Sequence, residues 1–152
     1  MSTLVLGIGH PDRGDDAAGL LVAEQLSGTP GLCVRTVTGD PTGMLLDPDW
    51  GRAEHVLLVD SVRTGAATGT VSRWEGPELL AALPHRSAVT HELGVATTLQ
   101  LAQGLGRLPP RLTLIGIEGA CFERGEPVSA AVRTAVEMVA SEIAGDIGDQ
   151  RP

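Results

Sequence analysis

A chain of 152 residues with a net charge of −8 and a pI near 4.8 contains neither lysine nor tyrosine. That excludes a P-loop, a Schiff-base lysine and a tyrosine acid, and it leaves too little positive charge to neutralise nucleic-acid phosphates. Hydrophobic residues make up 42% and aromatic ones 2%, so a core of Val, Leu, Ile and Ala is expected within one domain, 1–152.

Leu4, Val5, Leu6 and Ile8 form a nearly continuous apolar run, as in a strand buried on both faces of a parallel sheet. Gly7 and Gly9 free the backbone at its end. From Asp16 onward Ala17, Leu20, Leu21, Ala23 and Leu26 recur at helical spacing, with Asp15 or Asp16 supplying the carboxylate favoured in a first turn. The opening G-x-G is not a dinucleotide fingerprint, because the third glycine's place is taken by Asp12. Asp12, Asp15 and Asp16 also crowd negative charge where a pyrophosphate would rest. A loop of carboxylates at the carboxyl edge of a sheet suits a cation better, although Asp12 itself reads as a solvated loop tip.

Leu32–Thr38 alternates enough to be a second strand near an edge, followed by a loop over residues 39–43 and one or two helical turns between Met44 and Trp50. His55–Asp60 reads as a buried central strand ending on a carboxylate. Gly69–Trp74 follows so closely that an antiparallel edge strand is expected. Short and longer helices are expected over Glu75–Leu83 and, capped by Thr90, over His91–Gly104, the latter turning Leu93, Ala96, Leu99 and Leu101 inward. Leu112–Glu118 is the last strand. Ser129 is placed to cap a final helix with the apolar stripe Val132, Ala135, Val136, Val139 and Ile143, stopped by Gly145 and leaving 146–152 as a frayed tail. The expected architecture is therefore a three-layer α/β/α sandwich around a mostly parallel, twisted five-stranded sheet with one antiparallel edge strand.

In this arrangement Asp16, Asp60 and His91 converge on one edge, and two carboxylates with an imidazole suit a borderline divalent metal. Each has a plain structural reading as well: Asp15 and Asp16 as first-turn carboxylates, Asp60 as an acceptor of loop amides, His91 as part of a polar first turn. His55 and His85 read as surface or loop residues. Cys33 and Cys121 form no C-x-x-C pair and read as buried free thiols. Neither a signal peptide nor a bilayer-spanning run is recognisable, so a cytoplasmic protein with no membrane partner is expected.

Four segments carry a resemblance. GIGHPDRGDDAAG matches the opening pattern G-x-G-N-x-x-x-x-D-[DE]-x-x-G of the hydrogenase maturation proteases, the endopeptidases that trim the C-terminal tail from the large subunit of a nickel-iron hydrogenase. VLLVDSVRTGAATGTV, THELGVATTL and IGIEGACFERGEPVSAAV follow in the family's order across nearly the whole chain. The resemblance implies that Asp16, Asp60 and His91 are the metal-contacting and catalytic residues. It also implies that the metal is nickel carried by the substrate, the resting enzyme being metal-free or holding a surrogate divalent cation. Asp40, with Thr42 and Gly43, falls in a loop that in the family lies beside the site and influences substrate choice. The partner implied is the nickel-iron hydrogenase large-subunit precursor, met by a monomer. The family's asparagine after G-x-G is His10 here, which adds an imidazole beside the cleft or replaces a loop hydrogen bond, the second being preferred. Two other readings stay open: a nickel-checking or chaperone protein that binds the precursor without cutting it, and a different hydrolase on a similar sheet, such as peptidyl-tRNA hydrolase.

Overall fold

The computed structural model describes residues 2–82 and 94–149. The sheet contains β1 (Thr3–Gly9), β2 (Leu32–Thr38), β3 (His55–Val62), β4 (Val71–Glu75) and β5 (Arg111–Glu118) in the order β2-β1-β3-β5-β4. All neighbours are parallel except β4, which pairs antiparallel with β5 at one edge while β2 forms the other. The helices are α1 (Ala18–Leu26), α2 (Gly76–Ala82), α3 (Val95–Gly104) and α4 (Ala130–Asp149). This is the expected mostly parallel α/β sheet.

The apolar runs explain the layers. Along β1, Leu4, Leu6 and Ile8 face Met44, Trp50, Leu79 and Leu99, whereas Val5 faces the opposite cluster formed with α1 and α4. Trp50 is wholly buried and donates its indole N–H to the Arg107 carbonyl at 2.7 Å, which fixes the layer carrying α3. On the other face α1 lies unusually close to the sheet: a Cβ at Gly19 would stand 2.1 Å from the Val59 carbonyl oxygen, so only glycine permits this approach. The helix thereby starts directly over the ends of β1 and β3.

Several local expectations are corrected. Residues 14–17 form a 3-10 turn before α1, and no aspartate side chain caps the helix. The turns expected over 44–50 begin earlier, as a 3-10 helix over Pro41–Leu46, because Asp40 accepts from the Thr42 amide and Pro41 supplies a preset first position. Leu101 is 49% exposed, and Ala102 is buried in its place. Gly145 does not stop the last helix, which runs to Asp149; one glycine costs about 1 kcal/mol in a helix, and the buried stripe from Val132 to Ile143 outweighs it. α3 begins at Val95 with extended Gly94 at its N-cap, and not at His91 after a Thr90 cap; Thr90, Leu93 and His85 themselves lie outside the described residues.

Candidate functional site

The chain passes from β1 through α1 to β2 on one side and then to β3 on the other, so the order reverses between β1 and β3. In open α/β sheets, ligands bind outside the carboxyl ends of the strands at such a switch point. Asp16 reaches it from the turn after β1, and Asp60 from within the last residues of β3. Close packing sets Asp16: its carbonyl oxygen accepts from the His10 amide at 3.3 Å and lies 1.9 Å from where a Cβ at Gly9 would sit. Any side chain at Gly9 would push the turn off the strand.

The two carboxylates are joined through one residue. The Ser61 hydroxyl donates to Asp16 Oδ1 at 2.9 Å, and the Ser61 amide donates to Asp60 Oδ1 at 2.8 Å. On the far oxygen of Asp16, His10 Nδ1 lies 2.5 Å from Oδ2, the His10 and Asp16 side chains being 18% and 23% exposed. The imidazole therefore stands beside the carboxylate, and the bond it makes lies within the connection between β1 and α1, in keeping with the preferred reading of His10 as a loop hydrogen bond. The Ser61 amide on Asp60 is not a loop amide: Ser61 is still inside β3, which runs on to Val62 instead of ending at Asp60 as expected, and it is the residue that binds Asp16. His91 lies outside the described residues. Among the described residues no three His, Cys, Asp or Glu side chains form a group that would hold a metal ion.

The order of this chain of contacts matters chemically. A serine nucleophile needs its hydroxyl on an imidazole and the imidazole on a carboxylate. Here the carboxylate of Asp16 stands in the middle, between Ser61 and His10. Cys33 and Cys121 are free thiols, both half-buried. Burial pushes the Cys33 thiol up, against the pull of Arg35, which makes it a poor thiolate.

Asp15 does something else. Fully buried, it accepts from the amides of Ala120, Cys121 and Ser129 at 2.8, 3.1 and 2.7 Å and from the Ser129 hydroxyl at 2.7 Å. Burial would raise its pKa; the bonds from Ala120, Ser129 and Cys121 outweigh that and hold the carboxyl below its ordinary value. It is neither cap nor ligand but a staple between the first loop and the segment between β5 and α4. Glu118, 3% exposed, plays a similar part at the end of β5, accepting from the Thr64 amide at 2.8 Å and from its hydroxyl at 2.5 Å. Nothing in sequence spacing singles out Ser61 or Glu118, since their partners stand 45 and 54 positions away. Asp40 is exposed and caps its 3-10 helix, with Thr42 half-buried and Gly43 exposed beside it. Asp12 is exposed, as expected, with Arg124 Nε at 3.4 Å.

A cleft of about 280 Å³ opens at the opposite edge, lined by His55, Arg73, Glu75, Arg111, Thr113 and Ile143 among others. His55, expected on the surface, is half-buried there; its Nε2 lies 2.8 Å from Thr113 Oγ1, which donates to Glu75 at 2.8 Å. Burial first, then the nearby Arg111, lowers the His55 pKa against the opposing effect of Glu75. At about 3.3 Å per strand residue, this network is roughly 16 Å from Asp60.

An α/β sheet whose carboxylates gather at its switch point, with no serine or cysteine nucleophile in a working order among the described residues, defines a class that comparison narrows further. Residues 38–146 match the HycI family model, hydrogenase maturation protease. The chain belongs to the hydrogenase maturation protease family and is a peptidase. It is 27% identical over 146 residues to the hydrogenase 2 maturation protease of Escherichia coli, spanning 94% of this chain and 88% of that one. It is 29% identical over 142 residues to the hydrogenase expression/formation protein HupD of Rhodobacter capsulatus, spanning 91% of this chain and 68% of the other. In fold it resembles the hydrogenase maturating endopeptidase HybD from Escherichia coli, with a TM-score of 0.81, 22% identity and coverage of 98% and 93% of the two chains. A [NiFe] hydrogenase maturation protease from Thermococcus kodakarensis gives a TM-score of 0.79 at 23% identity, with coverage of 97% and 92%.

Proposed function

We propose that this protease removes the C-terminal extension of a nickel-iron hydrogenase large-subunit precursor after nickel insertion, and that it recognises the nickel the substrate carries. The observation that carries this reading is that Ser61, near the carboxyl end of β3, holds Asp16 through its hydroxyl and gives its amide to the carboxylate of its chain neighbour Asp60. Two anionic oxygen donors there suit a borderline divalent ion arriving with the substrate, and His91 completes the set. The ion's contribution is Lewis-acid polarisation of the scissile carbonyl or of a water. The protein orients the substrate, and a carboxylate of the pair takes part in proton transfer. The loop bearing Asp40, Thr42 and Gly43 contributes to the choice of precursor.

Family membership supports the reaction class, and the central carboxylate between Ser61 and His10 supports a mechanism without an acyl-enzyme. The test is to incubate the protein with purified precursor, nickel-loaded and nickel-free, and to follow intact mass. Loss of a C-terminal peptide from the nickel-loaded form alone is expected. Binding without any change in mass would favour the chaperone reading, and equal cleavage of both forms would remove nickel recognition.

A further inference from the structure

Both oxygens of Asp16 are held by side chains, one from the start of its own loop and one from β3. His10, the residue after β1, takes Oδ2, and Ser61, inside the end of β3, takes Oδ1. One partner leaves a carboxylate free to turn about its Cβ–Cγ bond; two partners on opposite oxygens fix the plane of the group. Ser61 is 8% exposed, and its own amide is on Asp60. The residue that holds the inner oxygen of Asp16 is thus the chain neighbour of Asp60 in β3.

We propose that His10 and Ser61 are positioning residues that lock the Asp16 carboxylate in one orientation and in register with Asp60, so that the pair meets the substrate's metal preorganised. The inference rests on the reading of Asp16 and Asp60 as the groups that contact that metal. An ionised carboxylate offers about four lone-pair sites. The clamp uses one on each oxygen and leaves one on each for the incoming cation. Partners of this kind, one bond removed from a metal, fix the orientation and basicity of the group that touches it. His10 stands where the resembling pattern has asparagine, and either side chain can donate one hydrogen bond to a carboxylate. What this chain has built from an imidazole is therefore a donor on the outer oxygen, with the serine on the inner one.

The test compares His10→Ala and Ser61→Ala with the conservative His10→Asn and Ser61→Thr, measuring kcat and KM for the nickel-loaded precursor and thermal midpoints. It adds a crystal structure of the metal-free His10→Ala/Ser61→Ala double variant. Each alanine variant is expected to lower kcat about tenfold or more with KM within about twofold, and each conservative variant to return to within about threefold of the parent. In the double variant the Asp16 carboxylate is expected to leave its single orientation. Parental kcat in both alanine variants, no recovery in the conservative ones, or an unmoved Asp16 in the double variant would overturn the clamp. Asp16→Asn separates the two failures. If it is inactive while both alanine variants work normally, the clamp alone is wrong; if it is fully active, the reading of the site falls and the clamp with it.

Discussion

Asp15 and Asp16 are neighbours in the chain, and the molecule uses them in opposite ways. Asp15 is fully buried and saturated by four donors from the segment between β5 and α4, so nothing of it remains to meet a substrate. Asp16 turns the other way, is 23% exposed, and is held by two side chains that flank the switch point. The difference teaches that carboxylate count is a poor guide to a site. What separates the two aspartates is how far their partners use them up: three amides and a hydroxyl leave nothing of buried Asp15, whereas two side chains leave lone pairs over on Asp16.

The largest expected effect breaks the structural half of that contrast. Asp15→Ala strands three amides and a hydroxyl without their acceptor, and a loss of about 3 kcal/mol or more in urea unfolding is expected. Asp16→Asn is the counterpart: precursor processing is expected to fall at least about a hundredfold, with a thermal midpoint within about 2 °C of the parent. If Asp16→Asn were the unstable variant and Asp15→Ala the inactive but stable one, the assignment would be reversed.

A subtler difference follows from protonation. The folded pKa of Asp15 lies below its unfolded value, so the folded state binds this proton less readily. Its contribution to stability is complete above the unfolded value, about 3.9, and is lost as pH falls through the lowered folded value. Asp15→Asn is expected to be less stable near neutrality and to show a flatter acid limb in denaturation between about pH 5 and 2. An acid limb as steep as the parent's would remove Asp15 as its source.

The smallest effect concerns the far edge. His55 has a folded pKa lowered by burial and Arg111, so it too favours the folded state above its unfolded value, near 6.5, and that contribution fades as pH drops further. His55→Gln keeps a donor for Thr113 and is expected to soften the loss of stability between about pH 6.5 and 5 while leaving processing unchanged. A change in processing at neutral pH would tie that cleft to the reaction.

Much of this was legible from the residues. The unbroken apolar run of β1, the close spacing of β3 and β4, and the helical stripe of α4 fixed the sheet and its antiparallel edge, because buried periodicity is a local property of the chain. Asp16 and Asp60 could be placed at one edge because one follows β1 and the other lies near the carboxyl end of β3, although that strand runs two residues beyond Asp60. The fate of Asp15 could not be read, since its donors lie 105 to 114 positions away and two of them belong to residues whose own side chains carry no signal for it, Ala120 and Cys121. Ser61 was missed for a related reason: a serine after a strand-ending aspartate looks like any loop entry until the turn after β1 folds over it. His55 misled in the other direction, because a polar residue opening a strand reads as surface unless the network formed by Thr113 and Glu75 is seen.

The central claim is that Asp16 and Asp60 meet the metal carried by the precursor. Nickel K-edge X-ray absorption on the loaded precursor, alone and mixed with the protein, tests it most directly. The account predicts one or two added oxygen neighbours at about 2.0–2.2 Å on mixing, lost with Asp16→Asn. A nickel spectrum unchanged by a protein that nevertheless cleaves the precursor would contradict it.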